Sequence, residues 1–178
     1  MHKLIQHWRE SLCVTLAVGC AFASGCTSTP ASHNATYLSP ADLDRLTGPP
    51  WVGTLTYLDY TSKQQTTIDS SLIVVRKDDA PRTWEFGVGY AKEPHADSKE
   101  ELALKDGGRM LGDELVVSRT VLADGVTFIT ECDGQDDNRE ARFRFENTIT
   151  PHEYSKRKLV RFAGTNEFFE RHIYRWKR

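Results

Sequence analysis

Long apolar runs and paired cysteines are both scarce in this sequence of 178 residues. No run of about 18 apolar residues occurs, so no standard transmembrane helix is predicted. Three of the four cysteines lie within the first 26 residues, which leaves Cys132 as the only later one. The main part of the chain therefore has no disulfide framework and must be held by its core. We interpret Cys132 as a buried structural cysteine, because no His and Asn or Asp pattern marks it as a nucleophile.

Signatures of common catalytic and nucleotide-binding sites are absent as well. The chain contains no Gly-x-Ser-x-Gly, His-Glu-x-x-His, Walker loop or Cys-x-x-Cys. His95, His152 and His172 have no His or Cys at ligand spacing, so no metal or other cofactor is expected. The acidic segment 133–140 offers oxygen atoms that calcium prefers, but its spacing does not match an EF-hand and suits a hairpin loop. An enzyme is therefore the least favoured class of function.

The first 26 residues have the pattern of an exported precursor. Lys3 and Arg9 provide a cationic start, and residues 11–23 form an apolar stretch of signal-peptide length. Ala23-Ser24-Gly25-Cys26 follows this stretch. Small residues before a cysteine resemble the lipobox of bacterial lipoproteins.

The lipobox resemblance implies a signal peptide over residues 1–25 and a Cys26 that carries palmitate-type acyl chains and anchors the protein in a membrane. Cys20 is the alternative lipidation site, and a plain signal peptide is the alternative to lipidation. Residues 26–38 are rich in small polar side chains and predict a flexible tether. Thr27, rather than Asp, after the cysteine favours the outer membrane over the inner one. The membrane is thus an expected partner of the chain.

Charge is unevenly divided along the chain, although the net charge is only −2. Residues 26–137 carry 10 basic and 19 acidic side chains, whereas residues 138–178 carry 11 and 5. Either acidic and basic strands pair across a sheet, or the C-terminal strands build a basic face or cavity. A nucleic-acid partner is not expected for an acidic exported protein.

One β-rich domain is predicted over residues 39–178, and one short helix precedes its strands. Ser39-Pro40-Ala41-Asp42 is typical of a helix start and Gly48-Pro49-Pro50 of a stop, which predicts a helix near residues 40–47. From Trp51 onwards, runs rich in β-branched and aromatic residues alternate with turn signals. Strands are predicted near residues 51–60, 65–76, 82–91, 100–105, 114–122, 125–132, 139–148, 153–162 and 167–177.

Short loops join these predicted strands, so neighbouring strands are expected to run antiparallel. An up-and-down meander of about eight to ten strands leaves two edges and one uncovered face unless it closes. We therefore predict an all-β, antiparallel meander that closes into a barrel. A more open β-sandwich is the alternative.

Residues 43–53, LDRLTGPPWVG, resemble the opening of lipocalins and related calycins. In that family a short helical turn precedes Gly-x-Trp, and the Trp begins the first strand at the barrel floor. An Arg near the end of the last strand packs over it. The resemblance implies a lipocalin-like barrel with Trp51 in its floor and Arg175 or Arg171 across the ring.

The C-terminal strands mix basic and aromatic side chains on both faces. These charges either form a structural ion network, with Glu131, Glu146 and Glu170 as partners, or line a cavity for an anionic ligand. The candidate ligand-binding residues are Tyr57, Trp84, Phe86, Arg142, Arg144, Lys158 and Arg171.

Two classes of function fit this pattern. The first is a membrane-anchored envelope lipoprotein, periplasmic or at the outer membrane, whose barrel binds a small hydrophobic or anionic ligand. The second is a barrel with a filled interior that serves as an envelope assembly or interaction factor. Cavity volume separates them, because a ligand site needs roughly a few hundred Å³.

Overall fold

The fold is described from a computed structural model in which residues 36–178 are placed. The predicted signal peptide, Cys26 and residues 26–35 of the predicted tether lie outside the described residues.

Ten antiparallel strands form one closed barrel. Strands that are neighbours in sequence pair with each other, and the last strand pairs with the first to close the sheet. The elements are α1 (Pro40–Asp44), β1 (Trp51–Asp59), β2 (Gln64–Arg76), β3 (Thr83–Gly89), β4 (Ser98–Lys105), β5 (Met110–Leu111), β6 (Glu114–Val121), β7 (Val126–Asp136), β8 (Arg139–Ile149), β9 (Glu153–Phe162) and β10 (Phe169–Lys177). The predicted fold class, an antiparallel up-and-down barrel after one short helix, is confirmed, and the open sandwich is excluded.

Two stretches of strand differ from the sequence prediction. β5 was not predicted, because a two-residue strand between two glycine-containing turns is too short to show a period. β7 continues to Asp136, since the β7–β8 turn is made by Asp137 and Asn138, which have φ values of 52° and 58°. Positive φ at both central residues is typical of a two-residue hairpin turn. Residues 133–136 are therefore strand rather than loop.

The end of the barrel that holds the start of β1 is closed by apolar side chains, and we call it the floor. Its fully buried members include Leu38, Leu43, Leu46, Trp51 and Trp84. The backbone N–H of Leu38 donates to the carbonyl of Gly108 at 2.9 Å. Leu38, the last residue of the predicted tether, thus packs with the domain.

Two carboxylates of α1 fasten the helix to the barrel wall. Asp42 is 3% exposed and pairs with Arg119 of β6 at 2.7 Å. Asp44 pairs with Arg76 of β2 at 2.9 Å and accepts a hydrogen bond from the indole N–H of Trp84 at 3.0 Å. α1 ends at Asp44, shorter than predicted, and residues up to Thr47 continue as turns.

Candidate ligand chamber inside the barrel

Trp51 lies in the floor with its ring fully buried. Its indole N–H donates to the carbonyl of Leu46 at 2.8 Å, and the guanidinium of Arg178 lies 4.0 Å from the ring centroid. The prediction that Arg175 or Arg171 would cover the ring is wrong. Arg175 is exposed on the outer wall, because inward positions of β10 alternate and Trp176 takes the inward one. Arg171 lies at the other end of the barrel.

A β-bulge in β10 turns Arg171 into the barrel. β10 loses register with β9 between Glu170 and His172, so that Arg171 is the extra residue. Such a bulge re-aims side chains, and here both Arg171 and His172 are buried.

Arg171 is the centre of a cluster that covers the end opposite the floor, which we call the mouth. Asp136 lies 3.6 Å from Arg171 and 3.7 Å from Lys158, and all three side chains are at most 18% exposed. The guanidinium of Arg171 lies 4.1 Å from the ring centroid of Tyr60 and donates to the carbonyl of Leu58. The charges at the mouth thus form a structural ion cluster.

Two chambers lie between the floor and the mouth. The lower chamber has a volume of about 330 Å³ and is walled mainly by aliphatic and aromatic side chains, among them Leu72, Phe86, Val88, Tyr154, Tyr174 and Trp176. The upper chamber has a volume of about 280 Å³ and is more polar; it includes Glu114, Cys132, Phe143, Phe145, Lys158 and His172. Glu100, Leu102 and Lys156 line both chambers and mark their junction.

Lys156 extends from β9 to this junction. Its ammonium lies 5.0 Å from the ring centroid of Phe145 and, among residues 36–178, has no carboxylate within ion-pair distance. Burial acts to lower the pKa of Lys156, but the charges of Glu114 and Glu100 outweigh it and raise that pKa. Lys156 therefore stays charged at neutral pH inside the barrel.

Glu114 is the carboxyl group opposite Lys156 in the upper chamber. It accepts a hydrogen bond from the hydroxyl of Thr130. Burial raises the pKa of Glu114, although Lys156 and the Thr130 hydroxyl act in the opposite direction. Glu114 and Lys156 thus influence each other's titration without forming an ion pair.

The indole N–H of Trp176 is a second polar group of the lower chamber. The ring is 2% exposed and stacks on Tyr174 at a centroid distance of 4.5 Å. Within residues 36–178 its buried N–H has no hydrogen-bond acceptor. A buried donor without a partner costs free energy, so an acceptor on a bound molecule would stabilise it.

The buried His172 makes the stability of the folded barrel depend on pH. Burial, followed by the positive charges of Lys158, Arg171 and Lys156, lowers its pKa well below 6.5. As pH falls below 6.5, the unfolded chain takes up a proton that the folded barrel excludes. The free energy of unfolding should therefore drop by up to about 1.4 kcal/mol per pH unit from this group.

Urea denaturation between pH 7 and pH 5 measures this effect. His172→Phe should remove that part of the slope, whereas Glu114→Gln should steepen the loss, since a carboxyl with a raised pKa favours folding as pH falls. An unchanged slope in His172→Phe would contradict the assignment.

Five of the seven predicted ligand-binding residues face the interior. Phe86 lines the lower chamber and Lys158 the upper one. Tyr57 faces inwards beside His172, and Arg171 belongs to the mouth cluster. Trp84 also points inwards, but it is fully buried in the floor against Asp44.

Arg142 and Arg144 lie on the outer wall, because their neighbours Ala141, Phe143 and Phe145 take the inward positions of β8. Both guanidinium groups pair with Glu131, at 2.9 and 2.7 Å. Burial acts to raise the pKa of Glu131, but the hydrogen bonds from both arginines outweigh it and lower that pKa.

Arg142 and Arg161 also line an open outer groove of about 1110 Å³. Arg142 is already paired with Glu131 and Asp133, and Arg161 lies 4.9 Å from the ring centroid of Phe168. We place the candidate site inside the barrel, because its two chambers are more enclosed than this groove.

The interior residues that sequence reasoning missed are Lys156, Glu114, Tyr154, Tyr174 and Trp176. One signal was available for Lys156: Tyr154, Lys156 and Lys158 alternate along β9 and must share one face. No local pattern marked Glu114. Cys132 is half-buried at the upper chamber, not fully buried as interpreted from the sequence.

Across residues 36–178, no three His, Cys, Asp or Glu side chains are grouped so that they could hold a metal ion. In the same range, no helix has the length and apolar character needed to cross a membrane.

No family model matches the chain, and none of the curated proteins matches it. The geometry of the barrel interior is therefore the evidence for the function of the protein.

Proposed function

We propose that this protein is a lipid-anchored binding protein of the bacterial envelope whose lipocalin-like barrel holds a small amphipathic anion. The apolar part of the ligand lies in the lower chamber, and its anionic group meets the ammonium of Lys156. This observation carries the proposal: a charged lysine without an ion-pair partner in the described chain stands at the junction of the two chambers.

The shape and chemistry of the interior support this assignment. The chambers, of about 330 and 280 Å³, are within reach of the size of small-ligand sites, whereas a barrel filled by its own side chains would lack them. The aromatic wall formed by Tyr154, Trp176 and Tyr174 suits an apolar or aromatic body. The unpaired indole N–H of Trp176 adds a donor that an acceptor atom of the ligand would satisfy.

Calorimetric titration of the full-length protein with three eight-carbon ligands tests the charge preference. Octanoate should bind more tightly than octanol, and octanol more tightly than octylammonium, because only the carboxylate pairs with Lys156. Lys156→Gln should weaken octanoate binding by about 10- to 100-fold, the loss expected for a charged hydrogen bond, and should leave octanol binding nearly unchanged.

Lys177→Gln is the matched control, since Lys177 is on the outer wall and pairs with Glu153. It should bind octanoate like the unsubstituted protein. Tightest binding of octylammonium, or equal octanoate affinity in Lys156→Gln, would contradict the proposal.

The membrane anchor rests on the lipobox-like sequence before Cys26. Metabolic labelling with an alkyne fatty acid should mark the unsubstituted protein and Cys20→Ala, but not Cys26→Ala. Cys26→Ala should also leave the membrane fraction. Labelling that persists in Cys26→Ala would move the anchor to another cysteine.

A further inference from the structure

The barrel wall has a gap where β5 replaces a full-length strand. β4 pairs with β3 through Ser98–Ala103, but its other edge meets β5 only at Leu104 and Lys105. β7 pairs with β6 no further than Glu131, and its remaining residues pair only with β8. We call the space between residues 98–103 of β4 and residues 132–135 of β7 the seam.

The exposure of Glu100 indicates that the seam is open. Glu100 shares the inward face of β4 with Leu102 and Leu104, which are buried, yet Glu100 itself is exposed. The Arg171 cluster covers the mouth, so we attribute the exposure of Glu100 to the interrupted wall beside it.

Both chambers reach the seam. The lining of the lower chamber includes Lys99, and the lining of the upper chamber includes Glu101, Ala103 and Gln135. These side chains alternate with the inward ones and therefore belong to the outer wall. Chambers that include them open sideways through the barrel.

The two ends of the barrel are occupied by side chains. Trp51, α1 and Arg178 close the floor, where Trp51 is 0% exposed. At the mouth, the side chains of Arg171 and Asp136 are only 9% and 12% exposed, and the ring of Tyr60 packs edge-on against Phe169 at 6.5 Å.

We infer that the ligand enters and leaves through the seam rather than through the mouth. This inference rests on the proposed function. Passage through the mouth would break the ion cluster of Arg171, Asp136 and Lys158, whereas passage through the seam moves exposed side chains such as Glu100, Glu101 and Gln135. The β5–β6 turn at Gly112 and Asp113 lines the upper chamber and borders the seam.

Stopped-flow measurement of octanoate binding to the full-length protein tests the route. Ala103→Trp and Gln135→Trp place an indole on either side of the seam. Each should slow association and dissociation by about tenfold, with the dissociation constant nearly unchanged, because both directions share one passage. Thr61→Trp, an equally bulky change on the exposed β1–β2 turn at the mouth, should leave both rates unchanged.

Tyr60→Ala distinguishes the seam from the mouth as the ligand route even if both seam variants fail to fold. This substitution opens the mouth. If the ligand passes through the seam, the association and dissociation rates of octanoate should stay unchanged. If the ligand passes through the mouth, both rates should rise. Faster exchange in Tyr60→Ala, or unaltered rates in folded seam variants, would overturn the inference. No octanoate binding by the unsubstituted protein would instead contradict the proposed function.

Discussion

Trp51→Ala should lower the free energy of unfolding by about 3–5 kcal/mol, the usual cost of removing a large aromatic side chain from a core. The ring is completely buried and packs edge-on against Tyr154 at a centroid distance of 6.3 Å. Its loss would leave a cavity beneath the lower chamber and an unpaired carbonyl on Leu46. Equilibrium unfolding in urea, followed by circular dichroism, measures the change.

Arg178→Ala and Arg175→Ala are the companion variants. Arg178 covers Trp51 and donates to the carbonyls of Thr47 at 2.8 Å and Arg45 at 2.7 Å, so its loss should cost about 1–2 kcal/mol. Arg175 lies on the exposed outer wall, where substitution should change stability by less than about 0.5 kcal/mol. A cost below about 1 kcal/mol for Trp51→Ala would contradict the conclusion that Trp51 is buried in the closed floor of the barrel.

Asp42→Ala should cost about 3 kcal/mol, at the low end of the range for breaking a buried ion pair. Asp42 is 3% exposed and accepts hydrogen bonds from Arg119 Nε at 2.9 Å and Nη2 at 2.7 Å. It also accepts the backbone N–H of Ser39 at 2.7 Å and its hydroxyl at 2.9 Å, which closes the capping box of α1. The low end applies because the Arg119 side chain keeps 26% of its surface exposed.

The contribution of Asp42 to the free energy of unfolding changes with pH in a definite direction. Burial acts to raise the pKa of Asp42, but the hydrogen bonds from Arg119 and Ser39 outweigh it and bring that pKa below 3.8. The stabilisation is therefore present above pH 3.8 and lost as pH falls through the lowered pKa.

Asp113→Ala is the matched control for Asp42, since Asp113 forms an exposed pair with Lys105. It should change stability by less than about 0.5 kcal/mol. Similar costs for Asp113→Ala and Asp42→Ala in urea unfolding would show that the buried pair does not hold α1 to the barrel.

The closed barrel could be predicted from the sequence, but its irregular places could not. Alternation and short loops are local signals, and they located nine of the ten strands close to their observed positions. β5 could not be recognised in the sequence, because two residues are too few to show the alternation of inward and outward side chains. The seam, which exists because β5 is short, was consequently not predicted.

The candidate site was predicted in part, and the misses have physical causes. Lys158 and Phe86, two of the candidate ligand-binding residues, face the interior. Arg171 reaches its place through a one-residue bulge, which no periodic pattern reveals. Arg178, the residue that covers Trp51, follows the last strand and could not be chosen before the register of β1 and β10 was known.

A crystal structure of the full-length protein with 8-bromooctanoate tests the ligand chamber most directly. The bromine should give an anomalous peak in the lower chamber beside Trp176, with the carboxylate within hydrogen-bond distance of Lys156 Nζ. Bromine found only in the outer groove beside Arg142, or an interior filled by the protein's own side chains, would contradict the proposal.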